Sequence, residues 1–397
     1  MVKNKLFGAT LIVAGAAIGA GMLPLPLATY SLGLGNSAVL MVLMWVLGYY
    51  ASIIALKINL VHGGAFSISE LCRRELSPKA VLIADLSIIT LFYSLISAYI
   101  SGIVEISLIK GLFNGDFGRY IRAFIVFILV LLTLIDFKAF DLGNRIVFLV
   151  KVVAFCVLLV ILFPQIRIEN IGGFGLNSFE SASLCRVVPL FFTSFGFHGS
   201  IPFIIKYLDR DEKQVKKAFF RGSLLSLVVY LLWILFTVLT LPKDGAGSFE
   251  SVKENGNNLG DFVSALASVT GLESLSYVVT VFSWLAIITS FLGVGVGLYD
   301  YFLEKLKLDG SFVSSKIKAG LITFVPPIII VVIDKDIFIK ALAFAAVSLS
   351  VLAVILPSLI ALKISKNQRE VFFKPTVIAI LLAGCAIVMF EMVNLFY

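Results

Sequence analysis

From Leu6 to Leu56 the chain contains no Asp, Glu, Lys or Arg. One helical crossing of a bilayer takes about 20 apolar residues, so this interval holds two crossings, with Ser31 to Asn36 as the tight turn between them. Long apolar runs that do not alternate with polar residues recur to the C-terminus. They argue against a β-barrel and for helices, which satisfy their own backbone groups in lipid. A hydrophobic content of 60%, against about 45–50% apolar in a typical soluble domain, makes the same point. The expected architecture is an all-α integral membrane protein of about 11 transmembrane helices, at 6–30, 35–57, 81–109, 121–136, 143–163, 187–206, 220–241, 272–301, 318–333, 338–362 and 375–394. The fourth and ninth runs are short, and Pro326-Pro327 interrupts the ninth.

Charge orients these spans. With a cytoplasmic N-terminus, 23 of the 32 Lys and Arg residues fall in the inside segments and 9 outside, as the positive-inside rule requires. An odd span count then puts the C-terminus on the periplasmic side. The start, MVKNK, runs into an apolar segment with no small-residue cleavage signature and reads as a retained first span. The net charge of +8 is scattered between hydrophobic runs, so no nucleic-acid partner is expected; membrane lipid is the surrounding partner. Cys72, Cys156, Cys185 and Cys385 lack metal-ligand spacing and there are two histidines, so neither a metal site nor another cofactor is expected. No grouping of nucleophile, acid and base suggests an enzyme. The longest exposed segment, about 243–271, reads as an outside loop rich in Gly, Asn and Ser.

Two spans carry residues that break helices. The first contains GAAIGAGMLPLP at 15–26; its glycines permit close backbone approach, and Pro24 and Pro26 remove helical donors. Gly15 and Gly19 also form a G-x-x-x-G pair, which packs helices without any break. The sixth contains PLFFTSFGFHGSIP at 189–202, either a broken stretch or a kinked packing helix with satisfied hydroxyls. Irregular backbone at membrane depth is tolerated only where protein or a water-filled cavity supplies partners. The breaks occupy matching positions of the first and sixth spans, so a repeat of five spans follows: 6–163 and then 187–362, with 375–394 as an additional helix. Five crossings start the second copy on the opposite side, which is the inverted-repeat arrangement of secondary transporters. The whole chain, 1–397, then forms one transmembrane domain. Half-helix N-terminal amides suit a carboxylate and unpaired carbonyls an ammonium group.

The stretches IVAGAAIGAGMLPLPLA at 12–28, AYISG at 98–102, TSFGFHGS at 193–200, TSFLGVGVGLYDY at 289–301 and ILPSL at 355–359 together resemble the bacterial tyrosine and tryptophan permeases of the hydroxy and aromatic amino acid permease family, over nearly the full length. The resemblance implies a proton symporter with five plus five spans and one more, placed in the bacterial inner membrane, with an aromatic L-amino acid and protons as partners. HGS at 198–200 points to the tyrosine-specific branch. A tryptophan-preferring or sodium-coupled carrier is the near alternative, and a membrane amino acid sensor or channel the distant one. The monomer is the expected unit.

Within that frame, Ala17, Ile18, Gly19, Ala20 and Gly21 on one break, and Thr193, Ser194, Phe195 and Gly196 on the other, would face the amino acid backbone. Phe92, Tyr93, Tyr99, Phe195 and Phe197 are candidates to line a ring pocket, although most of the 35 phenylalanines must face lipid or pack. His198 is the one histidine in a predicted span; it either carries a proton or bonds a freed carbonyl. His62 lies in an inside loop. Lys151, well inside the fifth span, is a coupling candidate or a lysine that snorkels to the interface. The resemblance places it, with Thr289 and Ser290, between the first, fifth and eighth helices. Glu105 would gate the outside end or admit protons, Asp85 sits at the inside interface, and Asp300 closes the cytoplasmic side or pairs with a lysine. The cluster at 206–217 reads as a solvated inside loop.

Overall fold

Each apolar run described above becomes helix in the computed structural model wherever its residues are described, apart from breaks within the first and sixth runs. The structure describes residues 5–107, 125–130, 141–174, 181–245, 247–256, 258–270, 273–308, 312–334, 337–367 and 372–396, and among these there is no β-strand. In chain order the helices are α1 Lys5–Ala17, α2 Leu25–Leu32, α3 Leu34–Val61, α4 Ile68–Glu75, α5 Pro78–Ser107, α6 Asp141–Leu162, α7 Ser181–Ser194 and α8 Ile201–Tyr207. They continue with α9 Glu212–Thr240, α10 Phe249–Glu254, α11 Leu259–Thr270, α12 Glu273–Lys305, α13 Val313–Ile333, α14 Phe338–Ser350, α15 Leu356–Asn367 and α16 Lys374–Phe396. Among the described residues eight helices are long and apolar enough to cross a membrane, or nine with the bent pair α1 and α2 taken as one span. The expected fourth span, 121–136, lies outside the described residues except for the helical stretch 125–130.

Successive long helices run up and down, so one end of the bundle carries Lys5, the 62–77 and 208–211 connections and residues 306–308. The other carries the α2–α3 turn, α10 and the start of α11. That turn is a single residue: Gly33 joins α2 to α3 at φ +83°, a conformation open to glycine at little cost. Two expectations about connections are corrected here. The 206–217 stretch is a loop only over 208–211, because the Asp211 carboxylate caps α9 by accepting the Gln214 amide at 3.1 Å. The Gln214 backbone and side-chain donors together hold the Asp211 carboxyl below its usual range. The 243–271 stretch is no plain loop but holds α10 and α11. Ser248 and Ser251 cap each other to start α10, and Asn258 accepts the Asp261 amide to start α11.

Prolines behave differently at different sites. Pro326 and Pro327 do not interrupt α13, which runs unbroken from Val313 to Ile333. Pro326 has no amide for the Ile322 carbonyl four residues earlier, and the Tyr93 hydroxyl donates to that carbonyl instead, at 2.7 Å. Before Pro357, α14 passes into α15 through a π-turn at Val351–Ile355, where the ladder re-registers. Ser350 there donates to the Gly384 carbonyl of α16 at 2.9 Å. A methyl group on Gly384 would lie 2.8 Å from Val354, so α16 packs against this bulge only because residue 384 lacks a side chain.

The connecting helix α4 is amphipathic and buries Leu71 and Cys72. Burial, with Asp85 nearby, pushes the Cys72 thiol up to about 11. His62 bonds the Ile58 carbonyl through one ring nitrogen and the Glu75 carboxylate through the other, at 2.8 and 2.9 Å. Ser69 donates to Asp85, which also pairs with Lys305, and Lys363 donates to the Glu75 carbonyl. These contacts knit α3, α4, α5, α12 and α15 together at one end of the bundle.

Candidate functional site at the two helix breaks

The first break starts one residue after α1 ends. The Ile18 amide still reaches the Ala14 carbonyl at 2.7 Å, then Gly19 turns extended (φ −139°, ψ −155°) into a short 3-10 turn at Ala20–Met22. The axis changes by 54° across the break. Pro24 and Pro26 do not make the break: they sit at the first turn of α2, where the missing amides have no partner to lose. The second break follows Ser194. There the Gly196 amide bonds Thr193 and the Phe197 amide bonds Phe195, and the chain resumes at a 3-10 turn, His198–Ser200, and α8.

A break inside a membrane protein strands backbone groups that must find partners, and here they come from other helices. Lys151 of α6, with 3% of its surface exposed, donates to the Ile18 carbonyl at 2.5 Å. Ser290 of α12 accepts the Ala20 amide at 3.1 Å and donates to Ala286 at 2.9 Å. The Ser194 hydroxyl lies 3.1 Å from the Gly21 carbonyl and 3.0 Å from the Leu190 carbonyl of its own helix, so its one hydrogen is shared between the first break and α7. The Tyr230 hydroxyl of α9 lies 2.6 Å from the Ala17 carbonyl and 2.6 Å from the Ser194 carbonyl.

Between the breaks is a cavity of about 100 Å³. Its walls are Ala16, Ala17, Gly19, Ala20 and Gly21 from the first break and Thr193, Ser194 and Gly196 from the second. Tyr99, Leu95 and Leu91 of α5, Ser290 and Val294 of α12, and Leu342 and Leu349 of α14 complete it. Leu95, Leu91 and Val294 lie one or two turns from Tyr99 and Ser290, toward the end that carries Lys5, so the cavity leans that way. Toward the other end an aromatic chain crosses the bundle: Tyr30 on Phe249 at 6.2 Å, Phe249 on Phe262 at 6.1 Å, and Phe262 on Trp233 at 6.2 Å. Phe249, Phe262 and Trp233 are buried. Small-molecule pockets usually measure about 300–1,000 Å³, so this cavity must widen to admit anything the size of an aromatic amino acid.

The structure brings together Ala17, Gly19, Ala20, Gly21, Tyr99, Thr193, Ser194, Gly196 and Ser290 on the cavity, and it sends the other expected residues elsewhere. Ile18 contributes its carbonyl, to Lys151. Tyr93 is committed to the carbonyl freed by Pro326. Phe195 packs edge-on against Tyr230 at 5.2 Å, and Phe197 stacks on His198 at 4.7 Å within a separate apolar cluster. Phe92 lies against Gly297 of α12 instead. His198 bonds the Gly48 carbonyl of α3 at 3.0 Å. Thr289 bonds back to Ala286 of its own helix, and Asp300 is exposed eleven residues further along α12. Glu105 is buried beneath α11: its carboxylate accepts the Leu259 amide at 2.7 Å and the Ser101 hydroxyl at 2.9 Å.

Sequence reasoning missed Tyr230 and the apolar wall. The wall had a signal, since residues four apart share a helix face and Leu91, Leu95 and Tyr99 follow that spacing, as do Ser290 and Val294. Tyr230 had none, being one tyrosine in a long apolar helix. Among the described residues no group of three or more His, Cys, Asp or Glu could hold a metal ion.

The sequence profile of the tryptophan/tyrosine permease family matches residues 2–393. The chain is 33% identical to the tyrosine-specific transport system 1 of Haemophilus influenzae over 390 residues, 97% of this chain and 96% of that protein. It is 30% identical to the tryptophan-specific transport protein of Pseudomonas aeruginosa over 393 residues, 97% and 93% of the two chains. Among solved structures, a point mutant of a manganese transporter from Eremococcus coleocola superposes with a TM-score of 0.61 at 14% identity, covering 98% of this chain and 85% of that one, a likeness of fold.

Proposed function

The chain belongs to the tryptophan/tyrosine permease family, and from that premise we propose that it carries an aromatic L-amino acid, tyrosine by preference, with a proton into the bacterial cytoplasm. The observation that carries this reading is the cavity at the meeting of two broken helices, with a buried lysine on one of the freed carbonyls. In the proposed site the Gly19 to Gly21 stretch receives the substrate carboxylate, helix-end carbonyls receive the ammonium, and the ring lies against Leu91, Leu95, Val294, Leu342 and Leu349. No bond of the substrate is made or broken.

Lys151 supports protons over sodium as the coupling ion. Its ammonium already places a positive charge on the Ile18 carbonyl, where a metal cation would need oxygen ligands. Loss of its proton would take the charge out of that bond and weaken it, so proton release loosens the hold on α1. Proposed with it are the repeats 6–163 and 187–362, an extra helix at 375–394, a monomeric unit, a cytoplasmic N-terminus and a periplasmic C-terminus. His198, Glu105, Thr289 and Asp300 are proposed to act by holding or gating helices and not by touching substrate. Tryptophan is the second reading, favoured by relatives that carry its name at 30–31% identity.

The test is uptake of labelled tyrosine by purified protein in sealed liposomes with an inward proton gradient and no sodium, with tryptophan and phenylalanine as competitors. Accumulation that a protonophore abolishes, and that Lys151→Ala lacks, is expected. Accumulation only after sodium is added would refute proton coupling. Stronger accumulation of tryptophan would overturn the substrate preference.

A further inference from the structure

Tyr230 stands behind both breaks: it does not line the cavity, but its hydroxyl meets the backbone carbonyls of two residues that do, Ala17 and Ser194. Ala17 is the last residue of α1 and Ser194 the last of α7, so their carbonyls belong to the unsatisfied, partially negative ends of two helices. The two ends converge on one phenol oxygen at equal distances of 2.6 Å. The ring is fully buried and fixed edge-on against Phe195, the residue after Ser194. Eight residues earlier on the same helix, α9 holds α1 by close packing: a methyl group on Gly222 would lie 2.4 Å from Val13 and 2.8 Å from the Thr10 carbonyl. Helix α9 therefore braces α1 along its length and grips the end of α7 through the same side chain that grips the end of α1.

A phenol has one hydrogen, and here it faces two acceptors. It satisfies one carbonyl fully and leaves the other in want of a donor, on the helix ends where a protonated amine is expected to dock. From this geometry we propose that Tyr230 is a positioning residue that ties the two broken helices into one unit, fixing the spacing of the carbonyl ends that bind the substrate's ammonium group. This rests on the transport reading given above. With the tie in place, α1 and α7 move together and offer the substrate a preset pair of acceptors. Without it the two ends separate independently, and the substrate must supply the order that the phenol supplied.

The test is Tyr230→Phe, which keeps the ring and its contact with Phe195 and removes the hydroxyl. Uptake of labelled tyrosine and tryptophan into proteoliposomes is measured against concentration. Spin labels at positions 7 and 186, where Phe7 and Arg186 are exposed on α1 and α7, report the spread of distances between the two helices without substrate. A rise of about tenfold in KM is expected, the effect of about 1.4 kcal/mol, with a broader distance distribution and little change in kcat. A merely structural role would lower the amount of folded protein and leave KM and the distribution alone. An unchanged KM, or a distribution as narrow as in the wild type, would overturn the proposal. Should the wild type move neither amino acid, the transport reading fails, and the distance measurement alone decides the tie.

Discussion

Gly19 and Ser290 make a closed test of how the first break is held. A methyl group added at Gly19 would lie 2.5 Å from the Ser290 hydroxyl oxygen, but 3.7 Å from the Ser290 β-carbon and 3.9 Å from the Ala17 carbonyl. Only the hydroxyl is in the way. To make room it must swing to another rotamer, and it then gives up the Ala20 amide that it accepts at 3.1 Å. A buried amide without a partner costs about 1–3 kcal/mol, so Gly19→Ala should destabilise the protein by roughly that amount. Ser290→Ala loses the same bond at a similar cost and also removes the obstructing atom. The double substitution should therefore cost about as much as either single one, a coupling of about 1–3 kcal/mol between the sites. Unfolding by SDS titration from mixed micelles, applied to all four proteins of the cycle, measures this. Costs that simply add would show that Ser290 does not hold the break and that Gly19 is needed for some other reason.

Tyr93→Phe should cost about 1 kcal/mol by stranding the Ile322 carbonyl, and close to nothing in a Pro326→Ala background, where the helix regains its own amide donor; the same titration reads both. Glu105→Ala removes a charged acceptor from the start of α11, worth about 1.5–3 kcal/mol, and amide exchange over 259–270 should accelerate by about tenfold or more. Slow exchange unchanged from the wild type would refute the cap. Cys72 should resist maleimide at pH 8, because its thiol, raised to about 11, stays protonated below that pH and the side chain is buried. Labelling should appear only as the pH approaches 11 or the α4 contacts are broken, and rapid labelling of folded protein at pH 8 would contradict the packing of α4.

The membrane helices and the two breaks were legible because lipid imposes a strict rule: a long uncharged run must be helix, and glycines and hydroxyls gathered inside one need partners. The same rule misjudged prolines. At Pro24 and Pro26 the residues begin a helix, and at Pro326 a tyrosine from another helix makes good the lost bond, so the sequence signal at either place is indistinguishable from a break. The 243–271 segment misled for a different reason. Its polar composition suits a loop, but Ser248 and Asn258 are helix caps, and Phe249 and Phe262 give the short helices something to bury. Of the aromatic candidates, Tyr99 lines the cavity and the others do not. Tyr93, Phe195 and Phe197 sit beside the right motifs, yet helical rotation turns them toward a freed carbonyl, a tyrosine and a histidine.

What the partners of the freed backbone groups have in common is their origin. Ser194 and Tyr230 hold the two breaks to each other, through α7 and α9, whereas Lys151 and Ser290 reach the first break from α6 and α12. The first set of bonds can survive a movement in which α1, α7 and α9 turn as a unit. The second set cannot, because the turn carries Ile18 and Ala20 away from the helices that satisfy them. A ligand shifts a conformational equilibrium only by binding one state better than another, and in the proposed mechanism the two bonds that such a turn would break end on Ile18 and Ala20, within or next to the Gly19 to Gly21 stretch proposed to hold the substrate. On that proposal, what the substrate gains from the Gly19 to Gly21 stretch and what Lys151 loses with its proton act on one backbone segment, so substrate and proton would need no long path to influence each other.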